Sequence, residues 1–151
     1  MTLIRRATTD DIAPIIAMGA DMHAESPRYR VLGFKAHKVG DLAFTIIKNP
    51  AVGGVLVAEK ENILVGMFAF CISQHFFSDD LFASDIVMYI KPEHRGGSIF
   101  PRFVTAFEIL ADEYGVKEKL LSVSAGIDSE RTLAVLKRMG YELAATGAMK
   151  G

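Results

Sequence analysis

The sequence predicts a single α/β domain built on a mixed, mostly antiparallel sheet with helices on both faces. The chain has 151 residues, which suits one domain, because chains usually divide only beyond ~250 residues. Hydrophobic residues make up 50% of it and charged residues 23%, as expected for a protein with a substantial core. Stretches with strand and helix periodicity alternate along the chain. No repeat or linker interrupts them, so residues 1–151 are expected to form one domain.

Composition excludes several classes of protein. Lys and Arg number 17 against 18 Asp and Glu, a net charge of −1, so no basic surplus exists for binding nucleic acid. The longest apolar stretch, around residues 63–72, is far shorter than the ~20 residues of a membrane span. The first residues lack the apolar core of a signal peptide, so a cytoplasmic protein without membrane partners is expected. The single cysteine, Cys71, excludes a disulfide framework and a cysteine-rich zinc site.

The first half of the chain predicts a strand, two helices and a hairpin. The strand is expected over residues 3–7, and the polar residues at 8–11 offer caps for the first helix. The apolar faces of the two helices are Ile12, Ile15, Ile16, Gly19 and Met22, then Val39, Leu42, Ala43, Ile46 and Ile47. Ser26-Pro27 marks a loop between them. Strands over 54–59 and 63–74 flank a short turn at 60–62 and predict a β-hairpin.

The second half predicts strands that alternate with helices. A strand is expected over residues 83–91, a long helix over 98–114 and a further strand over 119–125. Asp128 or Ser129 is expected to cap a last helix that runs to Met139, with a final short strand over 141–149. Short turns between the earlier strands predict antiparallel pairing, whereas the strand–helix–strand unit predicts a parallel, right-handed crossover.

The segment between the strand ending near Lys91 and the long helix is the most informative one for function. It reads Pro-Glu-His-Arg-Gly-Gly-Ser over residues 92–98. Gly96 and Gly97 allow close backbone approach and positive φ, and a helix N-terminus binds anions such as a pyrophosphate. Arg95 offers a charge-assisted contact. A tight turn with a solvated arginine is the competing interpretation. The segment is neither a Walker A loop nor a Gly-x-Gly-x-x-Gly motif.

Three stretches resemble the GNAT superfamily of acetyl-CoA-dependent N-acetyltransferases. Residues 85–96, Asp-Ile-Val-Met-Tyr-Ile-Lys-Pro-Glu-His-Arg-Gly, resemble the family's central strand and pyrophosphate loop. Residues 121–124 resemble the next strand, which splays away to admit the pantetheine arm. Residues 128–141 resemble the last helix and its terminal Gly-Tyr. The loop over 22–34 further resembles GNAT proteins encoded by phages and prophages.

The resemblance implies acetyl-CoA as co-substrate, without a metal. Pantetheine is expected against the backbone of Tyr89, Ile90 and Lys91, opposite residues 121–124. The pyrophosphate is expected on the loop, and Ser129 is expected beside pantetheine or the 3′-end of the coenzyme. The loop residues so assigned are Arg95, Gly96, Gly97, Ser98, Ile99 and Phe100.

Two positions depart from the family pattern. Ser98 and Phe100 stand where the loop usually has small residues, which leaves the backbone amides to bind phosphate. Leu136 stands where many members have a tyrosine that protonates the departing thiolate, so water or another side chain must do this.

Asp85 is the candidate general base, because it matches a strand position where many members carry glutamate. Strand alternation predicts that it shares a face with Val87 and Tyr89. A solvent-facing aspartate is the competing interpretation, and Glu25 is the second candidate base. Glu25, His23 and Tyr29 are expected to border the acceptor site. The histidines lack partners at metal spacing, so no metal site is expected.

The leading hypothesis is therefore an N-acetyltransferase acting on a primary amine by direct attack in a ternary complex, since no activated nucleophile is visible. The alternative is a non-catalytic member of the same fold that binds acyl-CoA or a protein partner. A homodimer is compatible with the family habit, and the sequence leaves the oligomeric state and the acceptor amine open.

Overall fold

The computed structural model describes residues 1–123, 125–145 and 147–151, in which one five-stranded sheet carries helices on both faces. The strands lie in sequence order: β1 (Thr2–Arg6), β2 (Gly53–Lys60), β3 (Ile63–Gln74), β4 (Leu81–Ile90) and β5 (Glu118–Leu120). The helices are α1 (Ile12–Glu25), α2 (Ala36–Lys48), α3 (Ile99–Glu113) and α4 (Ser129–Arg138). Neighbouring strands are antiparallel except for the parallel pair β4–β5. The predicted fold class is confirmed.

The two faces of the sheet bury separate apolar clusters because side chains alternate along each strand. The face under α1 and α2 packs Ile15, Met18, Ala43 and Ile46 on residues such as Val57, Met67 and Tyr89. The opposite face packs Ile99, Phe103, Phe107 and Ala111 of α3 on Phe68 and Phe70 of the central strand. The predicted apolar faces of α1 and α2 are therefore correct only in part, because Leu42 is 48% exposed and the buried Met18 was not predicted. β3 is buried over residues 64–70, which is consistent with cover on both faces of the sheet there.

A β-bulge in β4 overturns the predicted alternation around Asp85. Ala69 pairs with Val87, but the next residue of β3, Phe70, pairs with Asp85, so Ile86 has no partner across the pair. By register, Asp85 therefore falls on the face of Phe70, whereas Val87 falls on the face of Ala69. The extra residue reverses the alternation, which period-2 counting does not detect.

The parallel pair β4–β5 is short and then diverges. Its partners are Phe82 with Glu118, Ala83 with Lys119 and Ser84 with Leu120. Beyond Ser84, β4 continues for six residues without a strand on that side, while the chain from residue 121 follows a separate path. The predicted splay is confirmed, but β5 ends at Leu120 rather than at residue 125, because beyond the fork it has no strand to pair with. Ser124, part of the predicted strand, lies outside the described residues.

The predicted final strand over 141–149 does not form in the described residues of that segment, 141–145 and 147–149. Thr146 lies outside the description. The segment is rich in small residues and contains no valine or isoleucine, so its intrinsic strand preference is weak. The edge strand β5 spans only three residues and offers it a short ladder at most. Among the described residues, no helix combines the length and apolar character needed to cross a membrane.

Phe107→Ala is expected to destabilise the protein strongly, because Phe107 is fully buried and contacts the rings of Phe68 and Phe70. Loss of its ring leaves a cavity that costs about 3–5 kcal/mol. The matched control is Phe76→Ala, since Phe76 is fully exposed and its loss is expected to cost less than ~0.5 kcal/mol. Chemical denaturation of both variants measures the difference. Equal losses would contradict the described packing of α3.

Candidate active site

A cleft of about 400 Å³ opens where β4 and the chain beyond β5 diverge. Its size lies within the range of small-molecule sites. One wall is the second half of β4, from Asp85 to Ile90, and the opposite wall is formed by 121–123 and 125–128. The remaining contributions come from the loop after β4, the first turn of α3, α4 and the end of α1. They include Met22, Tyr29, Arg95, Gly96, Gly97, Phe100, Pro101, Arg131, Thr132, Ala134, Val135, Leu136 and Arg138.

Backbone polar groups of β4 are directed into this cleft. The Lys91 N–H donates to the Val65 carbonyl at 2.9 Å, which places Lys91 in a hydrogen-bonded pair with β3. Hydrogen-bonded and non-hydrogen-bonded positions alternate along an antiparallel pair. Ile90 and Met88 therefore direct their N–H and C=O groups away from β3, toward the cleft, where the Ile90 carbonyl accepts a hydrogen bond from Nε of Arg95. A ligand lying between the diverging walls meets these groups as an incoming strand would.

The glycine loop, which is the segment 92–98 containing Gly96 and Gly97, closes one end of the cleft. Gly96 has a φ of +86°, a conformation that favours glycine, whereas the predicted positive φ at Gly97 is wrong. A Cβ on Gly96 would lie 2.5 Å from Nη2 of Arg131, so α4 packs directly on the loop. A Cβ on Gly97 would have no heavy atom within 4 Å among the contacts described. Gly97 thus faces open space at the cleft.

The starts of α3 and α4 both contribute to this end of the site. Neither N-cap residue, Ser98 or Asp128, makes a side-chain hydrogen bond to its helix. The first backbone N–H groups of both helices therefore lack a side-chain cap and suit an anion. Arg131, in the first turn of α4, lies beside them. The sequence analysis did not assign Arg131 to the site. A cation in the first turn of a helix interacts unfavourably with the helix dipole, and this unusual position could have identified it.

Arg95 is held by protein partners. Its Nη1 and Nη2 donate to both carboxylate oxygens of Glu25 at 2.5 and 2.8 Å, and its Nε donates to the Ile90 carbonyl at 2.7 Å. The guanidinium lies 5.2 Å from the centre of the Tyr89 ring. The ion pair lowers the pKa of Glu25 and raises that of Arg95. These contacts tie the end of α1 to the glycine loop, and an ionised, paired Glu25 is a weak base.

Asp85 lies at the fork between the two walls. Ser122 donates its backbone N–H to Oδ1 at 3.0 Å, and its hydroxyl lies 3.3 Å from Oδ1 and 3.2 Å from Oδ2. Burial raises the pKa of Asp85 above its ordinary value, while the hydrogen bonds from Ser122 oppose that rise. The carboxylate is thus a base of increased proton affinity whose orientation is fixed. The contribution of Ser122 was not predicted, because it depends on the packing of a segment distant in sequence.

A second contact crosses the site between the α1–α2 loop and the segment before α4. The fully buried Ser26 donates its hydroxyl to the Ala125 carbonyl at 2.6 Å and accepts the Tyr29 N–H at 3.1 Å. Gly126 lies against Pro27, since a Cβ there would be 3.6 Å from the proline ring. The loop that carries Tyr29 is therefore fixed beside the cleft.

The structure brings most of the predicted site residues together. Those that line the cleft are Tyr29, Asp85, Tyr89, Ile90, Arg95, Gly96, Gly97 and Phe100. The others lie outside its lining: His23, Glu25, Lys91, Ser98, Ile99 and Ser129. Ile99 is buried in the α3 core, and the His23 ring donates to the Leu32 carbonyl at 2.7 Å. Leu136, only 4% exposed, lies in the lining at the position predicted to face the coenzyme sulfur.

Within the part of the chain that the structure describes, no group of three or more His, Cys, Asp or Glu residues is arranged to hold a metal ion. The charged side chains of the cleft lining are three arginines and two aspartates, and the lining also contains backbone amides and the hydroxyl groups of Ser122, Thr132, Tyr29 and Tyr89. This set suits an anionic organic ligand.

Solved structures with the same architecture match the chain over its whole length. One is described as a predicted acetyltransferase with acetyl-CoA from Clostridium acetobutylicum: identity is 16%, coverage is 100% of this chain and 96% of that one, and the TM-score is 0.76. A ribosomal-protein-alanine N-acetyltransferase from Brucella melitensis is 13% identical, with coverage of 99% and 98% and a TM-score of 0.76.

The chain has the GNAT acetyltransferase fold. A further match, described as a transcriptional regulator from Bacillus halodurans, is 19% identical, with coverage of 100% and 99% and a TM-score of 0.77. No protein-family model matches the sequence, and no curated protein does. The likeness is therefore one of fold, at identities of 12–19%.

Glu25→Gln is expected to lower the free energy of unfolding by about 1 kcal/mol at neutral pH, because it breaks a partly buried ion pair with Arg95. The folded-state pKa of Glu25 is depressed, so its stabilisation is present above its unfolded-state pKa and disappears as the pH falls through the folded value. Denaturation of both proteins at neutral pH and near pH 3 measures this. The exposed Glu93→Gln is the control. A difference that persists undiminished in acid would contradict the ion-pair assignment.

Proposed function

We propose that the chain is an N-acetyltransferase that transfers the acetyl group of acetyl-CoA to a primary amine by direct attack in a ternary complex. The observation that carries the proposal is the cleft at the β4–β5 fork. Strand backbone groups line it, a glycine loop and two uncapped helix starts close one end, and the half-buried carboxylate of Asp85 lies at the fork. A coenzyme A thioester has an extended pantetheine chain, which suits the cleft, and phosphate groups, which suit the loop and the helix starts.

The residues at the closed end fit the coenzyme's phosphates. We assign the pyrophosphate to the N–H groups from Gly96 onward at the start of α3, where Gly97 leaves open space. Arg131 supplies positive charge beside this loop, a role that the sequence gave to Arg95. Arg131 makes no hydrogen bond or ion pair with the described residues, whereas Arg95 is paired with Glu25. Arg131 is thus the better candidate for a phosphate contact.

The β4 wall fits the amide groups of the pantetheine arm. Met88 and Ile90 direct backbone groups toward it, and residues 121–123 form the facing wall. The sequence assigned this contact to Tyr89–Lys91. We now centre it on Met88 and Ile90, because the Lys91 N–H is used by β3.

Asp85 is proposed as the general base. Acetyl-CoA supplies an acyl group activated as a thioester. Asp85 accepts a proton from the substrate ammonium, directly or through water, so that the nitrogen gains a free electron pair. The new N–C bond forms as the C–S bond breaks, and the sulfur leaves with the bonding electrons. The nitrogen loses its second proton as the amide forms. Leu136 is apolar and donates no proton, so a water molecule relays this second proton to the sulfur. The raised pKa of Asp85 supports this role.

The amine is proposed to enter beside Tyr29 and Met22, which line the cleft from the α1 side. His23 acts here through its contact with Leu32, in the loop that carries Tyr29. Glu25 acts through its ion pair with Arg95, which lines the cleft. The cytoplasmic location, the phage or prophage origin and the homodimer stay predictions of the sequence.

A non-catalytic, acyl-CoA-binding protein is the second candidate. The apolar Leu136 in the lining favours it, because the proposed chemistry then lacks a side-chain proton donor for the thiolate. A thiol-release assay with acetyl-CoA and a panel of primary amines separates the two functions. Amine-dependent release of CoA is expected for the enzyme. A raised melting temperature with acetyl-CoA but no release with any amine would favour the binding protein.

Gly97→Val and Arg131→Ala are each expected to weaken acetyl-CoA binding by roughly tenfold or more. Valine fills the open space at the loop, and loss of Arg131 removes a charge-assisted contact. The folds should persist, because a Cβ on Gly97 meets no neighbour and Arg131 is exposed. Calorimetric titration measures the affinities. Lys137→Ala, an exposed cation of α4 outside the cleft lining, is the control and should bind normally. Normal affinity in both site variants would contradict the phosphate assignment.

Asp85→Asn is expected to lower kcat by roughly 10²–10⁴-fold while acetyl-CoA affinity stays near that of the unchanged protein. Asparagine keeps an oxygen for the Ser122 N–H but cannot accept the substrate's proton. Steady-state kinetics with the best amine, together with coenzyme titration, tests this. Asp79→Asn, at an exposed loop position, is the matched control. Undiminished turnover in Asp85→Asn would remove Asp85 from the mechanism.

A further inference from the structure

We propose that Ser122 is a positioning residue that orients Asp85 and holds it ionised at the fork of the sheet. The inference rests on the proposed function, in which Asp85 is the base. Ser122 lies on the far wall of the cleft, two residues beyond the last β4–β5 pair, Ser84 with Leu120. It therefore reaches Asp85 across the point at which the strands separate.

The geometry gives Ser122 control over both carboxylate oxygens. Its N–H fixes Oδ1 at 3.0 Å, and its hydroxyl lies within 3.3 Å of both Oδ1 and Oδ2. A hydroxyl has one proton and donates to one oxygen at a time. The other oxygen keeps a lone pair available for a substrate proton. The carboxylate is thus held by one fixed and one adjustable donor.

Ser122 also provides the larger part of the hydrogen bonding that offsets the burial of Asp85, and the backbone of Asp85 itself provides the rest. The other charged groups of the cleft are Arg95 in the loop after β4 and Asp128, Arg131 and Arg138 of the α4 segment. The titratable phenols are Tyr29 and Tyr89. None of these six makes a hydrogen bond or ion pair with Asp85 in the part of the chain described. Burial favours the neutral acid, whereas donors from Ser122 favour the carboxylate.

Removal of the hydroxyl has a defined consequence. In Ser122→Ala the N–H remains but the hydroxyl donor is lost, so the pKa of Asp85 rises. The acid limb of the kcat/KM profile then moves to higher pH. At pH values below this limb, kcat/KM of Ser122→Ala is expected to be roughly tenfold lower than that of the unchanged enzyme, because one charge-assisted hydrogen bond contributes about that factor. On the alkaline plateau it should return toward that of the unchanged enzyme.

The experiment combines two readouts. The pH profile of kcat/KM follows catalysis, and carboxyl carbon NMR follows ionisation of Asp85 without any substrate, with its signal assigned through Asp85→Asn. Both should move to higher pH in Ser122→Ala. Ser122→Thr and Ser122→Val have side chains of nearly equal shape, but only threonine keeps a hydroxyl. The titration of Asp85 and the acid limb of kcat/KM should therefore move in the valine variant and not in the threonine variant. Ser73→Ala, a serine of β3, is the control.

Unchanged NMR titration in both the alanine and valine variants would overturn the proposal, as would a uniform loss of activity at every pH. A shifted NMR titration with an unshifted acid limb would overturn the catalytic part, because Asp85 would then not be the base. If no amine supports turnover, the proposed function fails, while the NMR titration still decides whether Ser122 governs the ionisation of Asp85.

Discussion

The divergence of β4 from β5 after three residue pairs is the constraint on which the rest of the structure depends. A parallel pair that continued would satisfy its backbone groups internally and leave no room between the strands. The divergence leaves Met88 and Ile90 with backbone groups that no strand satisfies. It also brings the starts of α3 and α4 to the same end of the opening. The site is thus a gap in the sheet, bounded by backbone.

Such a gap requires contacts that hold its walls, and three polar contacts do so. Asp85 and Ser122 join the walls at the fork, the Ser26 hydroxyl joins the α1–α2 loop to Ala125, and Glu25 with Arg95 joins α1 to the glycine loop. Each uses a buried or half-buried group whose loss leaves an unpaired partner, which costs more than the bond itself contributes. Two of these contacts also fix charged groups at the opening, because they hold the carboxylate of Asp85 and the guanidinium of Arg95.

Local patterns predicted most elements, because the helices and the long strands have clear periodicities over many residues. The extent of Ile63–Gln74 was predicted to the residue, and Ile99–Glu113 to within one residue at each end. Two errors, the bulge at Ile86 and the early end of β5, fall where structure depends on distant partners. The strand predicted over 141–149 does not form in the described residues of that segment, whose strand preference is weak. Arg95 was predicted as a phosphate ligand, since sequence spacing does not reveal its ion pair with Glu25, 70 residues away. The role proposed for Ser122 was missed for the same reason, whereas that proposed for Arg131 had a signal in the sequence, a cation in the first turn of a helix.

We propose above all that the opening between β4 and the facing wall, residues 121–123 and 125–128, holds acetyl-CoA. An experimental structure of the protein with acetyl-CoA bound tests it most directly. We expect pantetheine to be hydrogen-bonded to the backbone of Met88 and Ile90. The phosphates should lie at Gly96–Gly97 beside Arg131, and the thioester should lie near Asp85. A coenzyme bound elsewhere, such as in the hollow beside His75 and Phe77, or a cleft still empty at saturating acetyl-CoA, would contradict it.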